Sequence, residues 1–176
     1  MEHAAHFERV SKAQFEKDWQ AAFPEETAEG IRRIYEGIIL PRRATKGSAG
    51  YDIFAPAEVT IAPGHQVLIP TGIRVKIKEG YVLMLFPRSG LGFKYRLQLN
   101  NTVGIIDSDY YHADNEGHIF CKLANDSLDG RTVTIAAGTG MVQGVFVPFG
   151  ITADDDADAV RTGGLGSTTK ETGNNI

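Results

Sequence analysis

Cysteine is almost missing from this sequence: Cys121 stands alone among 176 residues. That excludes an internal disulfide framework and any multi-cysteine metal centre. Cys121 lies in the apolar run His118-Ile-Phe-Cys-Lys-Leu123, where a small buried side chain is expected. Long apolar runs are missing too. No stretch approaches the ~18 apolar residues of a membrane helix, and the start Met-Glu-His-Ala-Ala-His has neither the basic region nor the apolar centre of a signal peptide. Clustered positive charge is the third absence. Eighteen Lys and Arg face 22 Asp and Glu, a net charge of -4 with no basic run, which argues against a broad nucleic-acid-binding surface. Together these absences predict a soluble, cytoplasmic protein that engages neither membrane nor nucleic acid.

What is present suits a single globular domain: 42% hydrophobic and 23% charged residues, enough to rule out disorder as the main theme. Twenty glycines and seven prolines point to frequent turns rather than a helical bundle. Residues 1–37 read as a helical N-terminal extension. Phe7-Glu-Arg-Val10 suits a short strand, and Ser11 stands three before Gln14 in a capping-box spacing. Phe15, Trp19, Ala22 and Phe23 then recur at helical intervals until Pro24, and Ile31, Ile34 and Tyr35 mark a second helix ending at Gly37.

From Ile38 the period becomes two. Ile73, Val75 and Ile77 alternate with Arg74, Lys76 and Lys78, as a half-buried strand requires. Further strands are expected at Glu58–Ile61, Val82–Phe86, His118–Leu123, Arg131–Ile135 and Gly144–Val147, with turn signals every eight to ten residues. No βαβ alternation occurs, so residues 38–159 are predicted to be all-β. Residues 160–176, rich in Gly, Ser and Thr, predict a mobile tail.

Familiar phosphate loops, nucleophile elbows and His-Glu-x-x-His are absent. His112, Asp114, Glu116 and His118 offer four potential metal ligands, but a solvated loop is the preferred reading. Pro87-Arg-Ser-Gly-Leu-Gly92 follows a strand and combines a cation, a hydroxyl and two glycines, suited to an anion nest. Taken alone, a turn with a surface arginine explains it more simply. In Gly104-Ile-Ile-Asp-Ser-Asp-Tyr110 an apolar pair leads into Asp107, a carboxylate whose partial desolvation would suit general-base work, or else an acidic turn. The tail repeats the cation-plus-hydroxyl theme in Arg161-Thr-Gly-Gly-Leu-Gly-Ser-Thr-Thr169.

Taken in order, Ala49-Gly-Tyr-Asp52-Ile, Pro87-Arg-Ser-Gly90, Asn101-Thr-Val-Gly-Ile-Ile-Asp107-Ser-Asp-Tyr110, Gly140-Met-Val-Gln143-Gly-Val-Phe and Arg161-Thr-Gly-Gly-Leu-Gly-Ser-Thr168 resemble the five motifs of the trimeric dUTPases. The resemblance covers residues 38 to 169. Its specificity comes from the order of all five. The stretch from Tyr110 to Ile119 is longer than the family's usual turn and is similar to the form in some bacterial members. The helical extension lies outside the resemblance.

The resemblance implies an all-β, distorted jelly-roll or β-barrel fold, a homotrimer with shared active sites, and hydrolysis of dUTP to dUMP and pyrophosphate with Mg²⁺. It implies Asp107 as the base that holds the attacking water, and Tyr110 as the ring that packs on the deoxyribose and excludes a 2′-hydroxyl. Asn101, with backbone from Ile105, Ile106 and Phe120, would read uracil. Arg88, Ser89, Gly90 and Gln143 would contact phosphates from a neighbouring subunit. Asp52 would hold Mg²⁺ through water, or simply bind backbone amides. Arg161, Leu165, Gly166, Ser167 and Thr168 would close as a lid from a third subunit. Two positions depart from the family: Leu165 replaces an aromatic that stacks on uracil, a role Tyr111 could assume, and Thr169 replaces a glycine. The alternatives are a dCTP deaminase of the same fold and a non-catalytic dUTPase-like regulatory protein that binds a partner through the Trp19-bearing extension.

Overall fold

A computed structural model describes residues 3–159, 161 and 163. The chain opens with β1 (Ala5–Arg9). Helix α1 (Lys12–Ala22) follows, its first turn capped by the Ser11 hydroxyl accepting from the Gln14 N–H at 3.1 Å. Gln14 does not complete the reciprocal half of the box; its side chain donates to Asp18 instead. The Ser11 N–H turns to Glu116, over a hundred residues away in sequence. Helix α2 (Ala28–Glu36) is capped by Thr27 and ends at Gly37.

The body is built of β2 (Arg42–Arg43), β3 (Tyr51–Phe54), β4 (Val59–Ile61), β5 (Gln66–Pro70), β6 (Ile73–Ile77) and β7 (Tyr81–Pro87). Then come α3 (Ser89–Tyr95), β8 (Leu97–Leu99), β9 (Gly104–Ile106), a 3₁₀ turn over Ser108–His112, β10 (Phe120–Asn125), β11 (Val133–Ile135) and β12 (Gly140–Pro148). All strand pairs are antiparallel. They form sheets β1-β6, β5-β10-β8, β4-β11 and β2-β3-β12-β7-β9. The all-β body is thus a jelly-roll-like set of open sheets, and the barrel expectation is corrected: among the described residues no sheet closes on itself. Four sheets of two to five strands are too narrow to curl round to a first edge.

Alternation places the core. Ile73, Val75 and Ile77 point inward while Lys76 stays exposed, as period two requires. Ile53, Ile69, Leu83, Leu85, Ile119, Leu123 and Val142 fill the centre, and Phe15, Trp19 and Ile31 of the extension are as buried as any of them. Each such side chain contributes about 2 kcal/mol relative to exposure. The extension therefore shares the core of the body. Phe15 bridges the two, with its ring 5.3 Å from Trp19 and 6.2 Å from His118.

One element differs in kind from the sequence expectation. Ser89–Tyr95, expected as a turn or nest, is a short helix with Gly90 and Gly92 inside it and Arg96 closing it in the left-handed region at φ 51°. Two glycines weaken a helix by about 1 kcal/mol each, so propensity gives no sign of it.

Candidate active site

β9 pairs with β7, so that Leu83 faces Ile106 and Leu85 faces Gly104. Within β9 the side chains split: Ile106 is buried and Ile105 is 52% exposed. Asp107 follows as the residue that leads into the 3₁₀ turn. Its carboxylate is 48% exposed, so about half of it is withdrawn from water. Ile106 spends its apolar surface on the core, and Ile105 turns away to solvent.

Three residues further, Tyr110 is buried, its hydroxyl donating to the His118 carbonyl at 2.8 Å and accepting from Asn115 Nδ2 at 2.9 Å. Burial pushes its pKa up, against the opposing pull of Asn115 and Arg161. Arg161 completes the group. Its Nη2 lies 2.7 Å from Asp107 Oδ2, its Nε lies 3.0 Å from Asp109 Oδ1, and its guanidinium stands 5.7 Å over the Tyr110 ring. The arginine expected to reach across from another subunit meets these carboxylates within one chain.

A second group forms at the far end of β7. Arg88 follows the strand's last residue, and its Nε lies 3.3 Å from Asp52 Oδ1 on β3. Its Nη1 also approaches the Gly140 carbonyl on β12. Gln143 of β12 sits opposite Asp52 on one side and Phe86 on the other. Ser89 and Gly90 are exposed beside this cluster. Asn101 is exposed in the turn between β8 and β9, and Phe120 opens β10 with its ring 4.6 Å from His118.

The two groups do not meet within one chain. Continuing the β7–β9 register sets Asp107 beside Val82, six residues before Arg88, a separation of about 20 Å along the strand at its normal rise. The Asp107 group and the Arg88 group thus lie towards opposite ends of β7.

No three His, Cys, Asp or Glu side chains gather at metal-ligating spacing among the described residues. The His112–His118 stretch is a loop whose Glu116 binds Ser11 and whose His118 binds Asp18 and the Gly72 N–H. Asp52 is a single carboxylate beside an arginine. Such a donor set would suit a Mg²⁺ that keeps most of its waters, rather than a resident ion in a protein cage.

Several further features bear on the sequence expectations. Tyr111, the ring that could assume the stacking role, donates its hydroxyl to Glu8 and has Arg74 over its ring at 4.4 Å. Asp109 joins the site through Arg161; its spacing of two from Asp107 was the only sequence signal for it. Burial pushes the Cys121 thiol up to about 12, leaving it unreactive. Leu165, Gly166, Ser167 and Thr168 lie outside the described residues.

Comparison with known proteins joins these observations. The family model described as dUTPase matches residues 36–169. A deoxyuridine 5′-triphosphate nucleotidohydrolase of Lactococcus lactis is 47% identical over 136 residues, covering 75% of this chain and 89% of that protein. The crystal structure of a dUTPase from Streptococcus mutans aligns with a TM-score of 0.62 at 37% identity, over 83% of this chain and 97% of that one. A variant dUTPase from phage phi11 of S. aureus, solved for its coordination of a structural Mg(II) ion, shares the fold with a TM-score of 0.61 at 22% identity, over 89% of this chain and 98% of that one.

Proposed function

The chain belongs to the dUTPase family, and from that premise we propose that it hydrolyses dUTP to dUMP and pyrophosphate by attack of water on the α-phosphorus. The observation that carries the reading is the half-exposed Asp107 beside the buried Tyr110, with an arginine already drawn to the same carboxylate. Asp107 orients the attacking water and takes its proton. Tyr110, held by two hydrogen bonds, packs its ring on the deoxyribose and leaves no room for a 2′-hydroxyl. Asn101 and the backbone of Ile105, Ile106 and Phe120 read the uracil edge, so that cytosine would leave buried polar groups unpaired at about 1–3 kcal/mol each.

Arg88, Ser89, Gly90 and Gln143 bind the phosphates. Their distance from Asp107 along β7 supports a site assembled between subunits, and a homotrimer closes three such sites by symmetry. Asp52 would hold Mg²⁺ through water, and the ion would supply neutralisation of the phosphate charge. Arg161 exchanges its carboxylate partners for phosphate as residues 160–176 close from a third subunit, with Leu165 covering the base and Gly166, Ser167 and Thr168 reaching the phosphates. An enzyme of the deoxynucleotide pool belongs in the cytoplasm, supplying dUMP and limiting uracil in DNA. No helix among the described residues is long and apolar enough to cross a membrane.

A nucleotide panel with Mg²⁺ and pyrophosphate detection tests this reading. dUTP should turn over far faster than dTTP, dCTP or UTP, and Asp107→Asn should lower kcat by about 10²–10⁴-fold with binding kept. Ammonia released from dCTP, or no turnover of any nucleotide, would overturn it.

A further inference from the structure

Residues 1–35 of the N-terminal extension lie outside the matched family region, yet the extension is tied to the loop that follows Tyr110 at three points. Tyr111 donates to Glu8 at 2.8 Å. Glu116 takes both the Ser11 N–H at 2.7 Å and the Ser11 hydroxyl at 2.6 Å. His118, fully buried, sets its Nδ1 2.6 Å from Asp18 Oδ2 on α1. The other ring nitrogen decides the tautomer. Nε2 receives the Gly72 N–H at 2.8 Å, and a backbone amide only donates, so the ring proton sits on Nδ1 and points to Asp18.

His118 is also the residue on which both flanks of the nucleoside site rest. Its carbonyl accepts from the Tyr110 hydroxyl, and its ring packs on Phe120. The loop has little slack. Gly117 at φ 70° lies so close to the Tyr110 carbonyl that a Cβ there would fall 2.7 Å from it. A shift of His118 therefore passes to Tyr110 through a carbonyl contact and a closely folded backbone.

We propose that Asp18 and His118 form a positioning pair through which the N-terminal extension sets how strictly the sugar site excludes a 2′-hydroxyl. The proposal rests on Tyr110 being the sugar-facing ring. Asp18 touches no substrate; it fixes His118, and His118 fixes the depth of Tyr110.

The test compares kcat/KM for dUTP and UTP in the unaltered chain, Asp18→Ala, Asp18→Asn and Thr27→Ala. Asp18→Ala should lower the dUTP-to-UTP ratio about tenfold, mainly through the KM terms, as loss of a charge-assisted hydrogen bond allows. Asp18→Asn keeps an acceptor for the Nδ1 proton and should recover most of the ratio. Thr27→Ala removes the cap of α2, away from the loop, and should lower Tm without moving the ratio. If Asp18→Ala fails to fold, Glu116→Gln loosens the exposed end of the same brace and should shift the ratio in the same direction. An unchanged ratio in these loop-side variants, or an equal shift in Thr27→Ala, overturns the proposal. Hydrogen exchange supplies a reading apart from turnover: amides of residues 110–118 should exchange faster in Asp18→Ala, and unchanged exchange refutes the brace. Failure of the unaltered chain to hydrolyse dUTP would instead sink the functional reading.

Discussion

Two inactive variants of this chain should restore activity to one another. Asp107→Asn removes the proposed base, and Arg88→Ala removes the proposed phosphate-binding cation at the other end of β7. The residues stand about 20 Å apart along β7, so in the proposed trimer each site would take Asp107 from one subunit and Arg88 from another. In trimers formed from an equal mixture, a site is intact when its Asp107 comes from an Arg88→Ala chain and its Arg88 from an Asp107→Asn chain. Each condition holds half the time, so about a quarter of the sites recover. Arg161 is unaltered in both variants and does not change that fraction. Against a base-deficient background lowered about 10²–10⁴-fold, a quarter is an unmistakable signal. The assay is pyrophosphate release after co-refolding, with mixed trimers verified by native mass spectrometry. Activity remaining at background in verified mixed trimers would refute a site divided between subunits.

Two further predictions concern stability. Glu8, Asp18 and Glu116 all tie the extension to the body, and all three have lowered pKa values. At Glu8 the Tyr111 hydroxyl leads; at Asp18 and Glu116 burial pushes upward but is outweighed by His118 with Gln14, and by Ser11. A depressed carboxylate stabilises the fold above its unfolded value and loses that contribution as pH falls through the folded value. Urea midpoints should hold steady above the ordinary values of 4.5 and 3.8 and fall below them, with a shallower fall in Glu116→Gln; parallel profiles would refute the linkage. Gly117 and Gly130 share φ 70°, but only Gly117 faces backbone where a Cβ would go. Gly130→Ala should cost about 1–2 kcal/mol from the left-handed backbone alone. Gly117→Ala should cost clearly more in the same denaturation assay, and equal costs would show that the loop yields freely.

The elements that sequence made readable are those with local causes. Ser11 and Pro24 bracket α1, and the alternation at Ile73–Ile77 marks β6. β12 begins four residues before the expected Gly144, because Gly140 and Val142 find partners in β3 that only the fold supplies. The expected strand at His118 starts instead at Phe120, since His118 gives its ring to Asp18 and Gly72. β8 and β9 are three residues each, too short for a period to emerge. The site followed the same division. Asp107, Tyr110, Arg88 and Asp52 stood out as motif residues, but their sorting into two distant groups depends on strand register. Asp18 carried no signal, because its partner His118 lies 100 positions away.

The β1–β6 pairing has a temporal consequence. β1 leaves the ribosome before its partners Ile73–Ile77, and among the described residues β6 has no other strand beside it. The Ser11–Glu116 tie spans 105 positions, which at ordinary translation rates means about 5–20 s between the two ends appearing. Throughout that interval Phe15, Trp19 and Ile31 lack the body they are buried against. An element made well before its partners thus waits to be secured, with its apolar side chains uncovered until the body arrives.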